Sequence, residues 1–171
     1  MNSLNILVIG GTGMLAGVVF GLLKEGHQVT VVARDSKRFA PLQTAGATCL
    51  SADYLSPSFH SQWLLSNRFD ASIAWVHGDA HHVHRAAMSM TDRYIHIVGS
   101  SAADPAGSPV VHSGISDSTL EYQKVVLGFM VVNGLSRWLT HAEIVEGVLG
   151  AWLSGDSDTV VGQIEPWEMR P

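Results

Sequence analysis

The sequence predicts an α/β fold built on a doubly wound parallel sheet, formed by a single domain. Three observations lead to this prediction. The first hundred residues alternate between short apolar segments of strand length and longer segments with helical periodicity. The strand-like segments are apolar at consecutive positions, which is typical of parallel strands covered on both faces. The first of them leads into the glycine-rich turn GGTGMLAG, which precedes a helical segment.

Eight segments are predicted to be strands and five to be helices. The strands are residues 5–9, 28–33, 47–51, 71–76, 93–98, 123–132, 135–139 and 159–164. The helices are residues 14–24, 36–45, 57–67 and 80–90, with a fifth beginning after Thr140. Asp35 and Ser56 are typical N-cap residues at the starts of the second and third helices. The alternation predicts right-handed crossovers and therefore a Rossmann-type sheet.

The pattern changes after residue 99. Residues 100–118 are rich in Ser, Gly, Ala and Pro, which predicts a long loop with at most one short helical turn. The dipeptide Asn133-Gly134 lies between two apolar segments and predicts a β-hairpin. Thr140 followed by Glu143 predicts a capping box. We therefore expect residues 121–171 to complete one domain spanning residues 1–171, adding a hairpin and a helix to the sheet.

Composition narrows the range of functions. Hydrophobic residues make up 46% of the chain and charged residues 15%, as expected for a well-buried globular protein. The net charge is −5 and no basic run is interleaved with aromatic residues, so no nucleic-acid partner is expected. No apolar run reaches the roughly 18 residues of a membrane span. The single cysteine, Cys49, can form no internal disulfide, which suits a cytoplasmic location.

The glycine-rich turn is predicted to bind a dinucleotide. Gly11 begins the fingerprint G-x-G-x-x-A, and Gly10, Gly13 and Gly17 fit a looser spacing of the same motif. Glycines allow the backbone amides to approach a pyrophosphate closely, and the N-terminus of the following helix faces the anion. For Gly17 and Gly21 the alternative is close helix packing, because Gly13, Gly17 and Gly21 lie four residues apart.

The end of the second strand indicates which dinucleotide is bound. Arg34 stands where an acidic residue would hold the ribose 2′-hydroxyl of NAD, with Lys37 and Arg38 close by. Three cations suit a 2′-phosphate, so NADP is predicted. NAD is the alternative, because Asp35 lies one residue from the acidic position. Lys37 and Arg38 equally fit a solvated helix face, and Asp53 fits either the adenine amino group or a loop cap.

These residues resemble the short-chain dehydrogenase/reductase superfamily, above all its NmrA-like branch, in which a GxTGxxG turn is followed by an arginine after the second strand. The resemblance covers about residues 4–100, and residues 121–171 are similar to small bacterial short-chain-dehydrogenase-like proteins. It implies a nicotinamide dinucleotide along the carboxyl edge of the sheet. The implied contacts are Gly10, Thr12, Gly13, Met14 and Leu15 on the pyrophosphate, Arg34 on the 2′-phosphate, Asp53 on adenine, Trp75, Val76 and His77 along the cofactor, and Val98, Gly99 and Ser100 near the nicotinamide.

The resemblance does not extend to the catalytic pair of the family. Active members use a Ser or Thr after the fifth strand and a Tyr-x-x-x-Lys sequence on the next helix. Ser100 and Ser101 fit the first role, but none of the three tyrosines is followed four residues later by lysine. Tyr122 and Lys124 would point to one face of a strand. They are either a distorted substitute for the pair or ordinary strand residues.

Histidines cluster in VHGDAHHVHR, beside the expected nicotinamide position. His77 would serve there as a proton donor near neutral pH. On a helix, His77, His81 and His84 would share a face and could ligate a metal. The spacing lacks the signature of known zinc sites, so no metal is predicted. The plainer interpretation is a solvated helix start.

The tryptophans belong to the C-terminal part of the chain. Trp152 falls on the apolar face of the last helix and is predicted to lie in the core. Trp138 and Trp167 are predicted to pack at a homodimer surface or to wall a substrate site.

Two functions remain open from the sequence. One is an NADP(H)-dependent oxidoreductase acting on a small carbonyl or hydroxyl compound, with Ser100, Ser101 and His77 as catalytic residues. The other is a non-catalytic NADP(H)-binding sensor in which the bound nucleotide alters a dimer surface.

Overall fold

The computed structural model describes residues 2–56, 66–77, 80–107 and 119–171. The strands in these ranges are β1 (Asn5–Ile9), β2 (Gln28–Ala33), β3 (Thr48–Ser51), β4 (Phe69–Ala74), β5 (Thr91–Gly99), β6 (Glu121–Leu127), β7 (Phe129–Val132), β8 (Leu135–Trp138) and β9 (Asp158–Val161). The α-helices are α1 (Ala16–Lys24), α2 (Ala40–Thr44), α3 (His81–Ser89) and α4 (His141–Ser154), and short 3-10 helices span Ser36–Arg38, Ser100–Ala103 and Trp167–Met169. Within the described ranges, no helix is long and apolar enough to cross a membrane.

Seven strands form one parallel sheet in the order β3-β2-β1-β4-β5-β6-β9. This order confirms the predicted doubly wound α/β class. The direction of winding reverses between β1 and β4, where the loops leaving the two strands separate and open a crevice at the carboxyl edge. The remaining two strands, β7 and β8, form the antiparallel hairpin predicted at Asn133-Gly134. Both turn residues have positive φ, at 53° and 78°, as a type I′ hairpin requires.

The sheet is buried on both faces, as the consecutive apolar residues of its strands predict. Ile6 and Val8 of β1 face the cluster formed with α1 and α4, whereas Leu7 and Ile9 face the cluster formed with α3. This alternation follows from the two-residue period of a strand. Trp152 of α4 belongs to the first cluster, which confirms its predicted place in the core.

The prediction of one strand over residues 123–132 is wrong. The chain leaves the sheet at Gly128, so that β6 ends at Leu127 and β7 begins at Phe129. At Gly128 a Cβ atom would lie 2.1 Å from the carbonyl oxygen of Gln163. Phe129 and Gln163 exchange two backbone hydrogen bonds of 2.9 Å. The glycine therefore marks a close backbone approach, which apolar periodicity alone does not reveal.

The predicted helix over residues 36–45 is divided in two. Asp35 caps the first turn as predicted, since its Oδ1 accepts a hydrogen bond of 3.0 Å from the Lys37 amide. That turn is a 3-10 helix, and α2 begins only at Ala40. Pro41 explains the division, because it has no N–H to donate to the preceding turn. The other described elements end within three residues of their predicted limits, the largest difference being at β9.

Two predicted segments lie partly outside the described residues. They are the third helix, through residues 57–65, and the loop after β5, through residues 108–118. The part of that loop that is described contains the predicted short helical turn, a 3-10 helix over Ser100–Ala103.

Close packing of α1 against α4 depends on two glycines. A Cβ atom at Gly17 would lie 2.5 Å from Cγ2 of Val145, and one at Gly21 would lie 2.6 Å from Cδ1 of Leu149. The helix-packing alternative is therefore confirmed for these two glycines. At Gly13, the nearest atom to a Cβ would be 3.9 Å away.

We expect Gly17→Val to lower the free energy of unfolding by about 1–3 kcal/mol, because the added side chain overlaps the stiff, β-branched Val145. Gly150→Ala in α4 is the matched control. A Cβ atom there meets nothing within 4 Å, so the helix should gain up to about 1 kcal/mol instead. Urea unfolding monitored by circular dichroism measures the free energy of unfolding of both variants. Equal stability of the valine variant and the wild type would contradict the close helix contact.

Candidate functional site

The glycine-rich turn occupies the crevice between β1 and β4. Gly10 has a φ of 84°, and a Cβ atom on it would lie 2.4 Å from the carbonyl oxygen of Trp75. Both the backbone conformation and the approach of the chain after β4 therefore require glycine at this position. The turn continues to Leu15, and α1 begins at Ala16 rather than at the predicted residue 14.

Consecutive backbone amides of this turn have no hydrogen-bond acceptor within the described part of the chain. They belong to Gly11, Thr12, Gly13, Met14 and Leu15. Gly13 is exposed and its neighbours Thr12 and Met14 are half-buried, so the middle of the turn is open to solvent, whereas Gly11 and Leu15 are buried. The turn adjoins the N-terminus of α1, where the partial positive charge of the helix dipole is concentrated. The arrangement suits an anionic group such as a pyrophosphate.

Of the three predicted cations, Arg38 lies beside the glycine-rich turn and Arg34 lies against Tyr54. Nη1 of Arg38 lies 3.9 Å from the position that a Gly13 Cβ atom would take. Its Nε lies 3.8 Å from Oδ2 of Asp35, so that the aspartate orients the guanidinium group. The guanidinium carbon of Arg34 lies 5.7 Å from the ring centre of Tyr54. Lys37 is exposed, and its side chain has no polar partner among the described residues.

Asp53 caps its own loop. Its Oδ1 accepts a hydrogen bond of 3.1 Å from the Leu55 amide, and its backbone oxygen accepts one of 3.0 Å from Ser56. This is the loop-capping role that the sequence allowed. Its second carboxylate oxygen is exposed and has no partner in the described ranges, which leaves it able to accept from a ligand.

A cavity of about 400 Å³ lies between the ends of β4 and β5 and the start of α3. The predicted residues that line it are Trp75, Val76, His77, Val98, Gly99 and Ser101. Nε1 of Trp75 donates a hydrogen bond of 2.9 Å to Nε2 of His77. Because an indole nitrogen can only donate, Nε2 of His77 carries no proton in this arrangement. The proton of the neutral ring is therefore on Nδ1.

Two buried histidines that were not predicted as site residues also line this cavity. His84 and His96 have ring centres 4.3 Å apart, and each Nδ1 is hydrogen-bonded to a tyrosine hydroxyl. The partner of His84 is Tyr94, and the partner of His96 is Tyr122, at 2.9 Å. The two-residue period of β5, which places residues 94, 96 and 98 on one face, is the signal that could have identified His96.

Tyr122 and Lys124 have different partners in this structure. Burial raises the pKa of Tyr122 to about 12, with the negative charge of Asp158 adding to the effect. Its hydroxyl is therefore protonated at neutral pH and engaged with His96. Lys124 is paired with Asp158 at 2.7 Å. The two side chains therefore share a face of β6 but contact different partners.

A second cavity, of about 340 Å³, lies on the other side of Trp75. The two cavities share three lining residues, which are Trp75, Gly99 and Ser101. Its wall includes Met14 of the glycine-rich turn, Trp138 of β8 and Ile144 of α4. Its polar groups come from Ser100, His141 and Arg170.

Arg170 is the site residue that sequence reasoning missed most completely. Its Nε donates a hydrogen bond of 2.8 Å to Oγ of Ser100, a residue only 3% exposed. Its guanidinium carbon lies 5.1 Å from the ring centre of Trp138 and 5.2 Å from that of Trp167. No motif links residues 70 positions apart, so no signal in the sequence pointed to this contact.

The wall of the second cavity is held by the capping box predicted at Thr140. Oγ1 of Thr140 accepts from the Glu143 amide at 3.3 Å, and Oε2 of Glu143 accepts from the Thr140 amide at 2.8 Å. Arg137 of the hairpin donates to both carboxylate oxygens of Glu143, each at 2.8 Å. The hydrogen bonds from Arg137, and then from Thr140, lower the pKa of Glu143 to about 2.

Within the described ranges, no three His, Cys, Asp or Glu side chains are grouped so that they could hold a metal ion. His77 precedes α3 rather than sharing its face with His81 and His84. His81 and His82 are exposed at the start of that helix, whereas His84 is buried.

No family model and no curated protein matches this chain, but many solved structures do. A bulky-bulky-ketone-specific alcohol dehydrogenase from Comamonas testosteroni has a TM-score of 0.70 at 14% identity, over 98% of this chain and 90% of that chain. The anaerobillin reductase ChuY from Escherichia coli O157:H7 has a TM-score of 0.67 at 16% identity, over 98% of this chain and 99% of that chain. BdcA, solved in complex with NADPH, has a TM-score of 0.61 at 16% identity, over 92% of both chains. These similarities establish a common fold.

Acid should weaken the capping box, because the pKa of Glu143 is lower in the folded protein than its ordinary value of 4.5. Its contribution to stability is complete above pH 4.5 and is lost as the pH falls towards 2. We therefore expect Glu143→Gln to be less stable than the wild type at neutral pH, with the difference shrinking below pH 4.5.

Denaturant unfolding at several pH values measures this dependence. Glu146→Gln is the matched control, since Glu146 is exposed on the same helix and has no ion pair within the described residues. The free energy of unfolding of Glu146→Gln should change with pH in the same way as that of the wild type. A Glu143 variant that also changed in this way would show that the carboxylate does not stabilise the start of α4.

Proposed function

We propose that this chain binds NADP(H) along the carboxyl edge of its sheet and reduces a small carbonyl compound. The observation that carries the proposal is the turn of unbonded amides with the guanidinium group of Arg38 beside it. A pyrophosphate needs such amide donors, and a 2′-phosphate needs cations next to them. BdcA, which has the same fold, was solved with NADPH, and ChuY is named as a reductase.

The residues present fit the successive parts of the dinucleotide. We assign the pyrophosphate to the amides of the turn, the 2′-phosphate to the cations after β2, the adenine amino group to the free oxygen of Asp53, and the nicotinamide half to the ends of β4 and β5. The residues assigned are Gly10, Gly11, Thr12, Gly13, Met14 and Leu15 for the pyrophosphate, Arg34, Lys37 and Arg38 for the 2′-phosphate, and Trp75, Val76, His77, Val98 and Gly99 for the nicotinamide half.

Trp75 has a central place in this assignment. Its indole ring lines both cavities, and its terminal ring atom Cη2 lies 3.8 Å from where a Gly99 Cβ atom would be. A Cβ atom at position 99 would therefore make an ordinary van der Waals contact with the ring.

Bound NADPH supplies the hydride in such a reduction, and the protein must position the carbonyl group and provide a proton. Ser100 is suited to positioning. Its oxygen accepts from Nε of Arg170, which leaves the hydroxyl hydrogen free to bond a carbonyl oxygen. His77 is suited to donating a hydrogen bond to the carbonyl oxygen, because the bond from Trp75 places the proton of the neutral ring on Nδ1. To transfer a proton, the ring must first give up the bond from Trp75 and take up a second proton. Ser101 lines both cavities and is a second hydroxyl within the site.

We expect the protein to bind NADPH more tightly than NADH. Arg34→Ala should weaken NADPH binding by roughly 10-fold or more while changing NADH binding little, since only NADPH has the phosphate that the guanidinium contacts. Titration followed by nucleotide fluorescence measures all four dissociation constants.

Arg68→Ala is the control for this experiment. Arg68 is exposed immediately before β4, at the amino edge of the sheet, and pairs with Asp92. Its removal should leave both nucleotide affinities unchanged. Failure of the wild type to bind either nucleotide would refute the proposed function. Binding without turnover of any carbonyl compound in a screen would instead support the nucleotide sensor.

A further inference from the structure

We propose that the substrate is an oxo acid and that Arg170 binds its carboxylate in the second cavity. This inference deepens the proposed function and rests on it, because it takes the substrate to react beside a nicotinamide at Gly99. The cavity in question is the one bordered by Met14, Ser100, Trp138, Leu139, Ile144 and Arg170.

The guanidinium group of Arg170 is held in position before any ligand arrives. Its Nε is hydrogen-bonded to Ser100, and its guanidinium carbon lies 5.1 Å from the ring centre of Trp138 and 5.2 Å from that of Trp167. An arginine held in this way loses less side-chain entropy on binding than a free one does. Its outer part is exposed, so an anion can reach it from solvent.

The two terminal nitrogens of Arg170 are unused. Among the described residues no carboxylate lies within ion-pair distance of them, and no acceptor is hydrogen-bonded to them. Among the other described arginines, Arg38, Arg68, Arg93 and Arg137 have an acidic partner, whereas Arg34 and Arg85 do not. A planar guanidinium group with free donors matches the two oxygens of a carboxylate.

The rest of the cavity defines the chemistry of the remainder of the ligand. Leu127, Leu139 and Ile144 provide an apolar lining, and the volume of about 340 Å³ admits a small molecule. Such a site suits a hydrocarbon or aromatic body oriented by a few polar groups. It is poorly suited to a large, highly charged substrate, because Arg170 is the only Lys or Arg among the described residues that line this cavity.

The contact between Arg170 and Ser100 places the reacting group. Because Nε of Arg170 is bonded to Oγ of Ser100 at 2.8 Å, one ligand can place its carboxylate on the terminal nitrogens and its carbonyl oxygen on the Ser100 hydroxyl. The carbonyl carbon of the oxo acid then lies beside Ser100. In the reaction that carbon receives the hydride of NADPH and its oxygen receives a proton, which yields a hydroxy acid and NADP⁺.

The test compares two probes that share a phenyl ketone but differ in charge. Benzoylformate is a 2-oxo acid, and acetophenone carries a methyl group in place of the carboxylate. Isothermal titration calorimetry measures their binding to the full chain, both with saturating NADP⁺ and without nucleotide. We expect Arg170→Met to weaken benzoylformate binding by roughly 10-fold or more and to leave acetophenone and NADP⁺ binding unchanged.

Arg68→Met is the matched control, since it removes an exposed guanidinium group at the opposite edge of the sheet. It should bind benzoylformate as the wild type does. Arg170→Lys should show an intermediate loss, because a point charge remains but the planar pair of donors is gone. Circular dichroism confirms that each variant is folded.

The outcomes separate this inference from the proposed function. If benzoylformate binds wild type and Arg170→Met equally, or does not bind the wild type at millimolar concentration, Arg170 is not a carboxylate site. If Arg170→Met weakens NADP⁺ as much as benzoylformate, the residue contacts the dinucleotide and the inference also fails. If NADP⁺ does not bind but benzoylformate binds in an Arg170-dependent manner without it, the carboxylate site stands and the proposed function is refuted.

Discussion

The parallel alignment of the seven strands is the constraint on which the candidate site depends. Every strand of this sheet ends at the same edge, so the loops that follow β1, β2, β4, β5 and β6 converge there although they are far apart in sequence. The reversal of strand order between β1 and β4 separates two of these loops and leaves a crevice. The glycine-rich turn lies in that crevice, with Trp75 against it.

The close contact between α1 and α4 determines the shape of the second cavity. Because Gly17 and Gly21 have no side chains, α4 can pack directly on α1. This brings the start of α4, with His141 and Ile144, next to Met14 at the end of the turn. The capping box and Arg137 then join the start of α4 to the hairpin that supplies Trp138. The close packing of two helices in the core therefore determines which residues line the cavity at the edge of the sheet.

Positive charge lies at the two ends of the site rather than in its middle. Arg34 and Arg38 stand beyond the glycine-rich turn, and Arg170 stands on the far side of Trp75. The region between them offers backbone amides, an indole ring and neutral polar groups. Such a distribution suits two ligands with anionic groups at their outer ends and uncharged reacting groups where they meet.

The sequence by itself determined the class of fold and the position of the glycine-rich turn. The alternation of strand and helix periods and the Thr140–Glu143 capping box are local, and local backbone preferences explain why they were interpreted correctly. Dinucleotide binding by the turn stays a prediction. The end of the strand at Gly128 was missed because it depends on a backbone approach from Gln163.

The tertiary structure alone decided which side chains meet at the site. His96 reaches the first cavity because α3 packs His84 against β5, and Arg170 reaches Ser100 because the C-terminal segment crosses the ends of β5 and β6. Neither contact can be predicted from the spacing of the residues in the sequence. In a parallel sheet, the residues at the carboxyl ends of neighbouring strands lie close together, whatever their separation in sequence. Which strands are neighbours is decided only when the chain folds.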